Sequence, residues 1–173
     1  MKKVDLVRIG KILRSQGKEG RFKVRLHETG LSGMAVTKVY LGRPGEFEEY
    51  EVESFELDRN SHILKLKGID TLARADGLAG LDVFIPEASF RPLDKGCYYD
   101  FQVIGCRVVT GDGTEVGTVR GILPAGGSNL LVVARGEKEY YIPFTEPICL
   151  RVDPEKREIV IDPPAGLLEL NEI

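Results

Sequence analysis

Tyr98 and Tyr99 stand side by side in the stretch Cys97-Tyr98-Tyr99-Asp100-Phe101-Gln102-Val103-Ile104-Gly105, directly after a connector punctuated by proline and glycine. In an extended segment, neighbouring side chains point to opposite faces. One ring can then anchor a core while the other stands where a partner would bury it. Tyrosine suits that role because it brings a large apolar ring and a polar tip at small entropic cost. On this reading, replacing both tyrosines by alanine weakens partner binding and leaves the fold largely intact. The plainer reading makes both rings packing residues at the junction of two folded units, and the residues alone leave both readings open.

The second group is basic. Gly10, Gly17 and Gly20 punctuate a segment that reads as a turn region between strands, and that segment displays Lys11, Arg14, Lys18 and Arg21. The glycines are expected to supply positive φ in tight barrel turns. The cations can place phosphate contacts once something else supplies docking, or they can form a solvated edge that discourages strand-to-strand aggregation. Charge is unevenly spread. Residues 1–25 hold nine basic and two acidic residues, whereas residues 46–58 hold seven acidic and no basic ones. The whole chain carries −3, divided as +1 over residues 1–88 and −4 over residues 89–173. An acidic chain does not coat RNA indiscriminately, because non-specific binding comes from neutralising many phosphates. The distribution favours a selective partner.

Residues for catalysis are thin. His27 and His62 lie in different strand contexts without cysteine or carboxylate at ligand spacing, so no metal and no cofactor is expected. Gly17-x-x-Gly20 is too short for a dinucleotide fingerprint, and neither a phosphate loop nor a G-x-S-x-G nucleophile turn is present. The three cysteines, Cys97, Cys106 and Cys149, are scattered and read as reduced, mostly buried thiols. The acidic run 46–58 alternates with Tyr50 and Val52 and reads as the solvated face of a strand. The chain reads as a binding protein and not an enzyme.

These residues must be positioned by β-strands. Alternation predicts strands over 4–13, 22–26, 36–41, 48–57 and 62–67, the last two forming a hairpin about Asp58-Arg59-Asn60-Ser61 with Leu64 and Leu66 inward and Lys65 and Lys67 outward. Asp70-Thr71 caps a short helix reaching 77–79, and a strand follows over 83–85. Further strands fall at 106–110, 115–123, 130–134, 139–142, 149–152 and 158–161, with a last helical turn over 166–170. Short strands at such spacing, without long helices, indicate small barrels or sandwiches. The expected architecture is all-β, with a barrel over 1–88, a linker over 89–96 and a second barrel over 97–173. No apolar run approaches the roughly 20 residues that span a bilayer, and the first residues lack a signal-peptide core, so a cytoplasmic protein with no membrane partner is expected.

The ordered set of motifs resembles the bacterial ribosome maturation factor family RimM. The resemblance begins with Gly10-x6-Gly17-x2-Gly20-x3-Val24 and continues through Lys67-Gly68-Ile69-Asp70, Leu78-Ala79-Gly80 and Tyr98 to Gly105. It closes with Glu115-Val116-Gly117-Thr118-Val119, Tyr141-Ile142-Pro143-Phe144 and Asp162-Pro163-Pro164-Ala165-Gly166-Leu167-Leu168. Cys97 and Phe101-Gln102-Val103 replace a commoner, more polar stretch, and Ala165 stands where glutamate is usual. The resemblance implies a translation-factor-like N-terminal barrel and a PRC-type C-terminal barrel. It implies a monomeric, non-enzymatic factor that binds the immature small (30S) ribosomal subunit, recognises ribosomal protein S nineteen of the subunit head and neighbouring 16S rRNA, and promotes assembly and 16S rRNA processing. The family's tyrosine pair, implicated in subunit association, carries over to Tyr98 and Tyr99. Two other readings stand beside it: a PRC-barrel adaptor for a protein outside the ribosome, and a flavin- or nucleotide-binding barrel enzyme.

Overall fold

The computed structural model describes residues 5–27, 31, 34–57 and 62–170. Two compact units divide between Pro92 and Leu93. The first is a closed barrel of six strands: β1 (Leu6–Gln16), β2 (Arg21–Leu26), β3 (Lys38–Arg43), β4 (Glu46–Leu57), β5 (His62–Leu66) and β6 (Asp82–Pro86). They follow the spatial order β1-β2-β5-β4-β3-β6, and every pairing is antiparallel. Alternation decides which side chains fill it: Ile9, Ile12, Phe22, Val24, Val39, Leu41, Leu64 and Leu66 are buried inside. The short helix α1 (Leu72–Asp76) is capped by Thr71, whose hydroxyl accepts from the Arg74 N–H at 3.4 Å. A 3-10 turn over Glu87–Ser89 follows β6.

The structure corrects the turn reading of residues 10–20. Strand β1 continues to Gln16, so Lys11 and Arg14 are strand residues and only residues 17–20 turn. A bulge at Leu13, where the register shifts between Ile12 and Arg14, lets one long strand pair with both β2 and β6. Gly17 and Gly20 have φ of +73° and +70°, as expected, but Gly10 does not lie at positive φ. Gly10 is needed for another reason: a Cβ there would sit 2.3 Å from the Arg25 carbonyl oxygen on the neighbouring strand.

Lys65 is a second correction. It lies on the outward register of β5 yet is only 8% exposed. The segment after β5 folds back over it, and its ammonium donates to the Ile69 carbonyl at 2.6 Å and to Asp70 at 2.7 Å. The hairpin turn at 58–61 and Val4 lie outside the described residues.

The second unit is a six-stranded sheet of β7 (Arg107–Thr110), β8 (Glu115–Ala125), β9 (Ser128–Arg135), β10 (Lys138–Pro143), β11 (Cys149–Asp153) and β12 (Glu158–Ile161). Its order is β10-β9-β8-β7-β12-β11, antiparallel except where β12 runs parallel to β7. Its core gathers Val103, Cys106, Val108, Val119, Leu131, Val133, Ile142, Ile159 and Ile161. Two single-turn helices complete it, α2 (Asp100–Val103) and α3 (Leu167–Leu170). The first of these follows directly on the two tyrosines, so the extended geometry expected for that pair ends at Tyr99. Tyr99 starts the turn, its N–H donating to the Gln102 side-chain oxygen at 2.9 Å, and Val103 is pulled into the core with no exposure.

Candidate functional site

The two tyrosines part company where the chain enters α2. Tyr99 has extended dihedrals (φ −74°, ψ 150°) and is 4% exposed. Its ring stacks on Phe101 with centroids 5.6 Å apart and planes 15° off parallel. Tyr98 is half-buried and leans on Phe144, with centroids 6.1 Å apart. Tyr99 is therefore the anchor and Tyr98 the ring with a face left over. The expectation that both can be removed without harm to the fold does not survive the burial of Tyr99.

Tyr98 borders a groove of about 290 Å³ lined also by Lys95, Phe144, Cys149, Leu150 and Arg151. Leu150, on β11, is 58% exposed, so the rim offers one large apolar side chain to solvent beside the exposed Lys95, Glu146 and Arg151. Burial pushes the Cys149 thiol up to about 11, which keeps it protonated and unreactive at neutral pH. Cys106 is buried and Cys97 exposed, and all three thiols are free. The groove can hold an apolar side chain; it offers no activated nucleophile.

One residue that sequence reasoning passed over holds this region in place. Arg157, in the turn between β11 and β12, is the one described non-glycine residue at positive φ (54°). Its guanidinium donates to the carbonyls of Phe101 at 3.2 Å and Ile104 at 2.7 Å, at the end of α2 where helix carbonyls lack partners. Gly105 leaves the approach clear, since a Cβ there would lie 2.6 Å from the guanidinium.

The basic group is arranged on the first barrel. Lys11, Arg14, Lys18 and Arg21 are all exposed. Lys11 and Arg14 lie on β1, Lys18 in the turn, and Arg21 at the start of β2, where it meets Glu19 at 3.2 Å. The antiparallel register adds two residues that position in the sequence does not bring together with them: Arg25 stands opposite Lys11, and Lys23 opposite Arg14.

The field of these cations is felt at His27. Burial holds its imidazole below the usual value, aided by Arg8, Arg25 and Lys11, with Asp82 acting the other way. The unfolded chain, near its ordinary pKa of about 6.5, takes up the proton first as pH falls. Stability is then full above that value and declines as pH drops toward the folded pKa. His27→Gln is expected to flatten that decline, read as a smaller change in urea midpoint between pH 7.5 and pH 5.5.

Comparison with known proteins bears on both units. The RimM N-terminal domain model matches residues 7–90, and the RimM PRC barrel domain model matches residues 100–167. The chain belongs to the RimM family. Tyr98 and Tyr99 fall between the two RimM matches, directly before the PRC barrel match begins at Asp100. A Ribosome maturation factor RimM of Geobacter metallireducens is 34% identical over 168 residues, covering 96% of this chain and 97% of that protein. Its counterpart in Geobacillus kaustophilus is 32% identical over 167 residues, covering 93% and 95%. A crystal structure of a 16S ribosomal RNA processing protein RimM from Pseudomonas aeruginosa is 27% identical, covers 94% of this chain and 99% of its own, and has a TM-score of 0.45. Among the described residues no helix is long and apolar enough to cross a membrane.

Proposed function

We propose that this protein is a non-enzymatic ribosome maturation factor of the cytoplasm that binds the immature small (30S) subunit at its head. Its two barrels, 1–88 and 97–173 joined by 89–96, would contact ribosomal protein S nineteen and 16S rRNA and favour one arrangement of the two during assembly and rRNA processing. Membership of the RimM family is the observation that carries this reading. Tyr98 is the protein-facing residue: a half-buried ring beside an apolar groove gains burial when a partner closes over it. Lys11, Arg14, Lys18 and Arg21 are the RNA-facing residues. Such a factor acts only through a difference in affinity between immature and mature particles.

The test is cosedimentation of the purified chain with immature and mature small subunits, with free S nineteen as competitor. Selective movement with immature particles, relieved by the competitor, is expected. Absence from both particles would overturn the reading and favour an adaptor for a partner outside the ribosome.

A further inference from the structure

The outer ladder of β1 and β2 has a property that ordinary barrel walls avoid. Lys11 faces Arg25 and Arg14 faces Lys23, so two like-charged pairs stand directly across from one another. Like charges in opposed positions destabilise a sheet. Lys11, Arg14 and Arg25 are exposed and Lys23 is half-buried. Among the described residues none of the four forms an ion pair. Other cations of the same barrel do: Arg8 meets Asp82, Lys38 meets Glu49, Lys67 meets Glu51, and Lys65 meets Asp70. Repulsion left uncompensated in one ladder, while neighbouring cations are matched, needs a reason other than stability.

Protection of a sheet edge is not that reason. The barrel is closed, and β1 and β2 each have strands on both sides, so no edge exists there to guard. The order β1-β2-β5-β4-β3-β6 also places the β4–β3 ladder diametrically across the barrel from β1–β2. That ladder carries Glu46, Glu48, Glu49 and Glu51, of which Glu49 and Glu51 are paired with Lys38 and Lys67, beside Arg43; Glu53 and Glu56 continue β4. Unpaired positive charge is thus gathered on the β1–β2 wall, whereas the opposite wall is mixed and partly ion-paired, which favours approach of a polyanion to the first face.

We propose that Lys11, Arg14, Lys23 and Arg25 on the β1–β2 ladder form a docking surface for the phosphodiester backbone of RNA. Each long side chain reaches a separate phosphate oxygen, and the guanidinium forks of Arg14 and Arg25 can hold two oxygens at once. Lys18 and Arg21 extend the ladder at its turn end, Arg21 in an exposed pair with Glu19 that a phosphate can displace. RNA is the polyanion that fits. Stable seating on an anionic membrane takes a second, apolar signal beside a basic patch, and the ladder offers only Leu13, 38% exposed. The choice of RNA rests on the maturation-factor reading; the ladder itself rests on register and charge.

The experiment measures binding of the full chain to 16S rRNA transcribed in vitro, from 50 to 200 mM salt. Four phosphate contacts predict a slope of log affinity against log salt of roughly −3 to −4. Lys11→Gln with Arg25→Gln should halve the slope and weaken binding about 100-fold at 50 mM salt but only about tenfold at 200 mM. Its melting temperature should match or exceed the parent's, because a repulsive pair is gone. Lys38→Gln with Lys67→Gln, two cations already paired with carboxylates of β4, should leave the slope unchanged. An unaltered slope in the Lys11/Arg25 variant, failure of the parent chain to bind the RNA, or equally tight ladder-dependent binding to anionic phospholipid vesicles would each overturn the proposal. Ladder-dependent RNA binding by a chain that cosediments with neither ribosomal particle would sustain it while removing the maturation role. Selective cosedimentation with an unaltered RNA slope would do the reverse.

Discussion

Tyr99→Ala is expected to destabilise the second unit by about 3 kcal/mol or more, while Tyr98→Ala costs less stability and weakens subunit binding. The asymmetry follows from burial. Tyr99 is 4% exposed and stacked on Phe101, so truncation removes a ring from a packed setting and leaves a void at the start of α2. A unit of this size shifts its melting temperature by about 4–8 °C per kcal/mol, so a fall of more than about 10 °C should be visible by circular dichroism. Tyr99→Phe keeps the ring and should retain most of that stability. Tyr98 is half-buried: it packs against the core of the second unit, lies tilted on Phe144 and keeps part of its ring at the groove. If it is an interface anchor, its loss costs at least about 2 kcal/mol of binding, or roughly 30-fold in affinity. The single variants must be compared, since the double variant mixes an unfolding effect with a binding effect. Wild-type melting of Tyr99→Ala would show that burial of that ring contributes little, and undiminished cosedimentation of Tyr98→Ala would take the groove out of the interface.

Most of the strands are legible in the sequence because burial on one side of a sheet writes itself as alternation. Phe22, Val24, Leu64 and Leu66 are inward on paper and inward in the barrel. The family resemblance was legible in the order of short motifs, and the domain models match over the same span. What escaped reading depends on contacts distant in the chain. Alternation placed Lys65 outward, and its register is outward; only the return of residues 66–70 over it makes it buried. A four-residue helix such as α2 is too short to show a helical period. The hold of Arg157 on α2 spans 53 and 56 residues, so no local pattern announces it.

The proposed basic surface was half legible. Lys11 and Arg14 are conspicuous as charges beside glycines, but Lys23 and Arg25 join them only through the antiparallel register and the bulge at Leu13. The sequence could not choose between an edge guard and a phosphate surface, because both predict exposed cations on a strand. Closure of the barrel removes the edge and with it the first explanation.

The glycines that shape this ladder yield the other large expected effect: Gly20→Ala should destabilise the first barrel by about 3 kcal/mol or more. Two penalties meet at this position. Its φ of +70° costs an alanine about 1–2 kcal/mol. A Cβ would also lie 2.1 Å from the Ile69 carbonyl oxygen, a backbone atom that no rotamer change can move. Ile69 cannot retreat freely, because its side chain is 6% exposed in the core and its carbonyl accepts the Lys65 ammonium. Displacing that carbonyl strips a buried charge of an acceptor, which is costly in its own right. Two companion variants separate the penalties. Gly17→Ala has nearly the same φ but open space around it, and should show the conformational cost alone. Gly10→Ala has an unstrained φ but would press on the Arg25 carbonyl at 2.3 Å, and should show the steric cost alone. It should also disturb the Lys11–Arg25 rung, since Gly10 and Leu26 form the adjoining pair. Urea unfolding of the three variants is expected to rank Gly17→Ala as mildest and Gly20→Ala as most severe. If Gly20→Ala unfolds no more readily than Gly17→Ala, the close approach to Ile69 does not constrain the barrel.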